Sequence, residues 1–448
     1  MKRLLVANRG EIAVRIIRAA RDLGIETVAV ASDADAGAAH ARLADAVVNI
    51  GPAPVAKSYL VADAIVAAAR ESGADAVHPG YGLLSERAGF AAAVTDAGLT
   101  FVGPDAAVIE RMGDKVRARR VASEAGVPTV PGTEDGVDDV AAAVAAASEV
   151  GYPVMLKAAA GGGGRGIRVV SDSGELAGAF GQASREAASA FGDGRMYLER
   201  FVRGARHVEV QVLGDGSDAI HVFERECSLQ RRRQKVVEEA PSPGISSRTR
   251  EEMTAAAVRL CRHVGYRGAG TCEFLVDEES GEYFFIEMNT RIQVEHPVTE
   301  MVTGLDLVAA QLRLASRAPL PRREDVTARG HAVEFRVCAE DPDRGFLPAP
   351  GRLDAVELPG GPWVRTDTWV AEGGQVTPFY DSLLAKVVVW GPDRPTALAR
   401  SRRALGELVI EGVPTTTAFL LELLDQPWFV EGTFDTGTLE RWLSEGGS

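Results

Sequence analysis

What most constrains the fold of this chain is the alternation of strand and helix patterns at its N-terminal end. Residues 3–33, RLLVANRGEIAVRIIRAARDLGIETVAVASD, read as a short apolar strand, a turn, an amphipathic helix and a second strand. Ile12, Ile16, Ala19, Ala20 and Leu23 recur with the 3.6-residue period, and Gly24 closes the helix. The pattern repeats with a helix around 59–71, strand ADAVHPG, a helix around 85–97 and strand LTFVGP. Alternation of this kind folds as a parallel sheet with helices on both faces. The turn VANRGE lacks GxGxxG, so no dinucleotide fingerprint accompanies the sheet.

A different unit runs from about 131 to 202: an Ala-rich helix (about 137–148), strand YPVMLKA, a glycine run, strand GIRVV, another helix and strand MYLER. The glycine run, KAAAGGGGRGIRVV at 157–170, includes Gly162, Gly163 and Gly164. A Walker A loop needs GxxxxGK[ST] leading into a helix; here no lysine follows the glycines, and the next segment is a strand. Two readings stand: a surface hairpin turn, or a flap whose amides close over an anion. A hairpin needs only one or two glycines, and each extra one adds ordering entropy. Lys157, on the feeding strand, points toward whatever a flap would cover. Beyond 203 the signals become antiparallel, HVEVQVLGDG with AIHVFERE and TCEFLVDEESGEYFFIEMN folding on itself. From about 330, strands HAVEFRVCAED and LLAKVVVW accompany a helix near 394–408.

In TCEFLVDEESGEYFFIEMN the turn lies near Glu279–Gly281, and folding about Ser280 sets Glu273 opposite Glu287. Opposed residues in such a ladder have Cβ atoms roughly 4.5–5.5 Å apart. Two bare carboxylates about 4 Å apart repel by about 4 kcal/mol at an effective dielectric of 20, so a cation would turn a penalty into a site. Few oxygen ligands, shared with phosphates, suit magnesium. The plain alternative is that both glutamates face solvent. In the following run, EMNTRIQVE, Glu287, Asn289, Arg291, Gln293 and Glu295 occupy every second position. If the chain stays extended, all five project to one side. The order carboxylate, amide, guanidinium, amide, carboxylate suits a metal followed by a small anion.

Charge narrows the partners. Lys and Arg number 49 against 63 Asp and Glu, a net charge of −14, which disfavours non-specific nucleic-acid binding. The basic run CSLQRRRQKVVEEAP is followed at once by Glu238 and Glu239, against a nucleic-acid patch. Cys227, Cys261, Cys272 and Cys338 form no CxxC or Cys/His cluster and read as free thiols in a reducing compartment. No signal-peptide core and no run approaching the roughly 20 apolar residues of a membrane helix is present, so the expectation is a cytoplasmic protein with no membrane partner.

The motifs NRGEIA, HPGYGLLSE, GDK, KAAAGGGGRG, RHVEVQV, QRRRQKVVEEAP, EMNTRIQVEHPVTE and GHAVEFRVCAED together resemble the biotin carboxylases of the ATP-grasp family, which serve acetyl-CoA and related acyl-CoA carboxylases. The resemblance runs through essentially the whole chain in one order. It implies an α/β fold, α+β in the C-terminal part. An N-terminal Rossmann-like domain (1–112) would precede a mobile glycine-rich lid (131–202) and a C-terminal ATP-grasp and biotin carboxylase domain (203–446).

By that resemblance, ATP lies between lid and C-terminal domain. Lys115, Lys157 and the lid glycines hold its phosphates, His207 contacts it, and Glu199 and Val202 lie near the adenine. Glu273 and Glu287, with Asn289 alongside, coordinate Mg2+, as a pair of ions. Arg291, Gln293, the Val294 backbone and Lys235 hold bicarbonate, with Glu295 as its base. Arg336 stabilises the biotin enolate, and Tyr81 lines the biotin pocket. Bicarbonate attacks the γ-phosphate to give carboxyphosphate and ADP; carboxyphosphate yields CO2 and phosphate, the phosphate deprotonates biotin N1′, and the enolate attacks CO2. Taken singly, each residue has a bland reading: a solvated lysine, a structural histidine, or Glu334 and Arg336 facing outward while Val333, Phe335 and Val337 face a core. Two positions depart from the pattern: Arg233 stands where relatives have His or Asn, and Arg200 where lysine is common.

None of the seven methionines belongs to the MKM tripeptide of biotinylated carriers. Biotin is therefore expected on a separate biotin carboxyl carrier protein, with carboxyltransferase subunits completing the complex and the chain itself a homodimer. The competing expectations are an ATP-grasp ligase activating another carboxylate, and a catalytically silent nucleotide-sensing or scaffold subunit.

Overall fold

The computed structural model describes residues 1–133, 135–159 and 167–447; Gly162, Gly163 and Gly164 lie outside them. In the N-terminal part, strands β1 (Arg3–Val6), β2 (Glu26–Ala31), β3 (Ala46–Asn49), β4 (Ala76–His78) and β5 (Thr100–Phe101) form a parallel sheet in the order β3-β2-β1-β4-β5. Helices α1 (Gly10–Asp22), α2 (Ala39–Leu43), α3 (Ala62–Glu71), α4 (Ala88–Asp96) and α5 (Ala106–Gly113) accompany it. Successive strand residues alternate sides, so Leu4 and Val6 join Ile12 and Ile16 in one core, while Leu5 joins Val28, Val30 and Ile65 in another. Both faces are thereby buried, as a parallel sheet requires. Helices α3 and α4 each begin about three residues later than their sequence pattern implies, within ordinary boundary scatter.

After β4 the chain turns sharply at Gly80, whose φ is +64° and where a Cβ would lie 2.8 Å from Asn8 Nδ2. Only glycine fits there without strain. Asn8 Nδ2 donates to the carbonyls of Pro79 (2.7 Å) and Tyr81 (2.8 Å), fixing the turn. Tyr81 is thereby held beyond the carboxyl ends of β1 and β4, the edge where open parallel sheets place their sites.

Helix α6 (Lys115–Glu124) is capped by Asp114, which accepts from the Arg117 amide at 2.8 Å, so Lys115 opens the helix. Next, β6 (Val154–Ala158), β7 (Arg168–Val170) and β8 (Met196–Arg200) pair antiparallel in the order β7-β6-β8. Helices α7 (Val140–Val150, against an expected 137–148) and α8 (Ser173–Phe191) pack on Val154, Leu156 and Leu198. Period-two alternation turns Lys157 and Glu199 to the opposite face.

The largest sheet is antiparallel throughout. Strands β9 (Ala205–Asp215), β10 (Ala219–Arg231), β11 (Gln234–Ala240), β12 (Arg267–Asp277), β13 (Tyr283–Asn289) and β14 (His331–Cys338) run in the order β13-β12-β9-β10-β11-β14, followed by Leu383–Gly391 and Val364–Thr368. Helix α9 (Ser247–Val264) covers Val208, Val210, Val212, Cys272 and Phe274 with Met253, Ala257 and Leu260. Glu209, Gln211, Thr271 and Glu273 occupy the alternate positions and line the other face. Helix α10 (His296–Thr303) packs by Val298 and Val302 against Ala332 and Val388. The sheet is therefore covered where β14 runs, and Glu334 is not an outward residue: it is 0% exposed. Glu238 and Glu239, read in the sequence as charges beside a basic run, are buried as well. All four cysteines are free, and among the described residues no helix is long and apolar enough to cross a membrane.

Candidate active site

The β12–β13 ladder places Glu273 directly opposite Glu287, as folding about Ser280 requires, with a bulge immediately after the pair. Neither carboxylate is bare. Glu273 Oε1 accepts from Asn289 Nδ2 (2.6 Å) and Gln293 Nε2 (2.7 Å), and Oε2 lies 2.8 Å from His207 Nε2. Lys115 Nζ donates to Glu287. Burial would push the Glu273 carboxyl up, but Lys235 and His207 outweigh it and hold it well below the usual range.

The run 287–295 does not stay extended. Strand β13 ends at Asn289, and Glu295 is already the residue before α10. The polar residues nevertheless gather, because the turn folds them back over the sheet rather than because they share a strand face. Gln293 bridges Glu273 and Arg225, the latter at 2.8 Å. Arg291 is held outward, its Nε on Glu86 Oε2 (2.9 Å) and a terminal nitrogen on Asn289 Oδ1 (2.9 Å). Lys386 Nζ, from strand Leu383–Gly391, donates to the Val294 carbonyl at 2.9 Å.

Glu295 sits between two cations. Lys235 Nζ is 2.5 Å from its Oε1, and Arg336 is 2.8 Å from its Oε2. Burial raises its pKa, yet Lys235, Arg336 and Arg225 together hold the carboxyl far below normal. The positive end of α10 adds in the same sense. Beside this cluster opens a cleft of about 360 Å³ lined by Tyr81, Lys235, Val294, Arg336, Trp369 and Tyr380. Tyr81 donates its hydroxyl to Glu11.

On the other side, Lys157 and Arg119 both pair with Glu199. Burial would raise the Glu199 pKa, but these two cations lower it. Val202 packs apart from these charges, with Val130, Ala205 and Phe284, and the Arg200 guanidinium lies 5.3 Å from the Phe284 ring. His207 also bonds Gln230 at 2.7 Å. Arg233 adopts φ +67° in the turn after β10. Lys157, Glu199, Lys115, Glu287, Glu273, Lys235, Glu295 and Arg336 thus form a train of cations and carboxylates from the glycine-run unit to the cleft, with the facing Glu287–Glu273 pair at its middle.

Sequence reasoning missed several members. Arg225 is fully buried and donates to Glu209 Oε1 (2.6 Å), Gln211 Oε1 (2.7 Å) and Gln293 Oε1 (2.8 Å). Glu209 also takes Lys235 at 2.5 Å. In HVEVQV the polar residues His207, Glu209 and Gln211 alternate with valines, a pattern ordinarily read as one wet face, so the sequence did not single Glu209 out.

A small antiparallel unit and a large antiparallel sheet, with buried lysines and paired carboxylates between them, make the ATP-grasp fold, and the chain is an ATP-dependent ligase. The N-terminal domain family of biotin carboxylase matches residues 1–109, the ATP-binding domain of the carbamoyl-phosphate synthase L chain matches 114–323, and the biotin carboxylase C-terminal domain matches 334–441. The biotin carboxylase of Pseudomonas aeruginosa is 53% identical over 446 residues, covering 99% of each chain. The crystal structure of a Campylobacter jejuni biotin carboxylase–β,γ-ATP complex superposes with a TM-score of 0.96 at 44% identity, over 98% of each chain. The biotin carboxylase domain dimer of Hydrogenobacter thermophilus 2-oxoglutarate carboxylase, in complex with MgADP, ADP and bicarbonate, gives 0.95 at 46% identity, over 99% of this chain and 98% of that one. The chain belongs to the biotin carboxylase family.

Proposed function

We propose that this chain uses ATP and bicarbonate to carboxylate N1′ of biotin borne on a separate carrier protein. This would be the first half-reaction of an acyl-CoA carboxylase of fatty-acid synthesis. The observation that carries the reading is Glu295 clamped between Lys235 and Arg336 at the wall of a cleft, one step across the site from the Glu273–Glu287 pair.

Glu273 and Glu287 fit magnesium: both are carboxylates on adjacent strands, and the groups that now satisfy them, the Lys115 ammonium, the His207 ring and the Asn289 amide, stand where a divalent cation would supply positive charge. Bound there, with Asn289 alongside, the metal would neutralise phosphate charge during transfer. The protein's own groups do the rest. Lys115 and Lys157 exchange their carboxylate partners for phosphate oxygens, as compact point charges can, with His207 beside them and Glu199 and Val202 toward the adenine. Lys235, Gln293, the Val294 backbone and Arg291 hold bicarbonate.

Glu295 then takes the bicarbonate proton. A carboxylate held so far below its usual pKa is a weak base while Lys235 and Arg336 both face it. Each contact those cations give to the incoming anion is withdrawn from Glu295, which strengthens the base as the substrate seats. The anion attacks the γ-phosphoryl group, giving carboxyphosphate and ADP. Arg336 faces the oxygen that becomes negative when biotin N1′ loses its proton to the phosphate released from carboxyphosphate. Tyr81 lines the biotin pocket. The glycine run, Gly162 to Gly164 among it, serves as a lid that keeps water from the reactive intermediate.

A separate carrier, carboxyltransferase subunits completing the complex and a homodimeric chain belong to the same reading, supported by the biotin carboxylase relative of matching length and by the dimeric neighbour. The test is ADP formation that requires bicarbonate and is stimulated by free biotin. Stimulation by another carboxylate instead, or covalent biotin found on this chain by mass spectrometry, would overturn the corresponding part.

A further inference from the structure

The face of the sheet behind Arg336 carries two glutamates that the reaction does not use. Glu238 on β11 and Glu334 on β14 are direct cross-strand partners, and each is 0% exposed. Opposed side chains in such a ladder stand roughly 4.5–5.5 Å apart at Cβ. Arg336 pairs with Glu238, but Glu238 Oε2 and both oxygens of Glu334 have no hydrogen-bond donor among the described residues.

The surrounding charges cannot support both carboxylates as anions. Lys386 lies 3.1 Å from Glu11 Oε2 and 3.9 Å from Asp367 Oδ2, and Asp367 also takes Arg365. Lys235 is divided among Glu209, Glu273 and Glu295. Arg336 is then the cation in contact with Glu238 and Glu295, while Lys386, committed to Glu11, is the main charge acting on Glu334 across space. Two ionised carboxylates held together without donors are not maintained in so dry a place; one keeps a proton instead. The pair is asymmetric, because Arg336 touches Glu238, whereas among the described residues no cation is in contact with Glu334 and Lys386 reaches it only from its place on Glu11.

We propose that Glu238 and Glu334 are positioning residues that share one proton: Glu334 holds it, and Glu238 keeps the charge that anchors Arg336 for the biotin step. The inference rests on the role given to Arg336 above. Burial moves both carboxyls upward, Glu334 well above its usual range and Glu238 to about 7, with Arg336 opposing the rise at Glu238. The anchor is therefore in place above that pH. As pH falls through it, Glu238 takes up a proton and Arg336 is left to Glu295 alone.

Two readouts test this on the full chain. The first is infrared: at pH 8 the wild type should show the carbonyl stretch of a buried protonated carboxyl that the Glu334→Gln variant lacks. No difference between the two spectra overturns the shared proton, whatever the activity. The second is the pH profile of biotin-dependent turnover. The wild type should lose rate on the acid side of about pH 7. Glu238→Gln should run flat across that range and, at pH 8, turn over about 10–100-fold more slowly, the scale of a misplaced catalytic group. Glu334→Gln, an uncharged isostere of the protonated form, should keep the acid limb and stay within about threefold of wild type, so that Glu238→Gln is read against a folded control that fills the same layer. A Glu238→Gln enzyme with the wild-type limb overturns the anchor. A wild type with the infrared band but no biotin-dependent turnover removes the reading of Arg336 and the anchor with it, while the shared proton stands.

Discussion

Lys235 Nζ lies 2.5 Å from Glu295 Oε1 and 2.5 Å from Glu209 Oε2, so one ammonium joins the proposed base to a carboxylate that is 0% exposed. The base is thus ionised before any substrate arrives, and its proton affinity is set by how firmly Lys235 and Arg336 hold it. Replacing Glu295 by Gln keeps the shape and removes the acceptor. Bicarbonate-dependent ADP formation should fall by about 10²–10⁴-fold, the usual worth of a positioned base, while nucleotide affinity measured by calorimetry stays near wild type. Near-normal turnover would remove Glu295 from the role of base.

Lys115 and Lys157 each have an acidic partner waiting, Glu287 and Glu199. Lys115→Met should weaken ATP binding by roughly 10–100-fold, corresponding to about 1.5–3 kcal/mol for a hydrogen bond to a charged group. It should also leave Glu287 with one cation fewer. Fluorescence titration with a labelled nucleotide checks the loss. Unchanged affinity would restrict Lys115 to its bond with Glu287.

Acid stability should depend on His40. Its ring is 0% exposed, and burial pushes it down to about 4 against the pull of Asp35. The unfolded value is about 6.5, so between these limits the unfolded chain binds more protons. The contribution is complete above about pH 6.5 and is lost as pH falls toward 4, amounting to about 3 kcal/mol at most. Thermal unfolding of His40→Asn should show a shallower fall in Tm between pH 7 and 5 than the parent. Equal slopes would mean that His40 carries none of this linkage.

The parallel sheet and the Glu273–Glu287 register were legible from the sequence because each rests on local periodicity or on a single turn. The gathering of Arg291, Gln293 and Glu295 was legible for the wrong reason: the expected strand stops at Asn289, and the turn before α10 does the work. Arg225, Glu209, Glu238 and Glu334 were out of reach. A charged residue alternating with apolar ones normally marks a solvated face, and here that face is covered by α10 and the N-terminal part. Which face of a strand is wet is decided by elements distant in sequence, and periodicity along the strand carries no information about them.

Arg225 offers the sharpest test of that buried layer. Its guanidinium is the shared donor for Glu209, Gln211, Thr271, Gln293 and Thr299, with none of its side chain exposed. Arg225→Met removes the fork and leaves Glu209 to Lys235 alone, so unfolding free energy should drop by about 3–5 kcal/mol, the cost of taking one partner from a buried ion pair. Arg225→Lys restores charge without the planar fork and should recover only part of it. Adding Glu209→Gln to Arg225→Met takes away the anion as well, and the double variant should be more stable than Arg225→Met by denaturant titration. If the two losses simply add, Arg225 and Glu209 do not act as a pair. The bicarbonate KM of Arg225→Lys should rise more than kcat falls, because Gln293, which Arg225 orients, is placed to hold the anion rather than to take its proton.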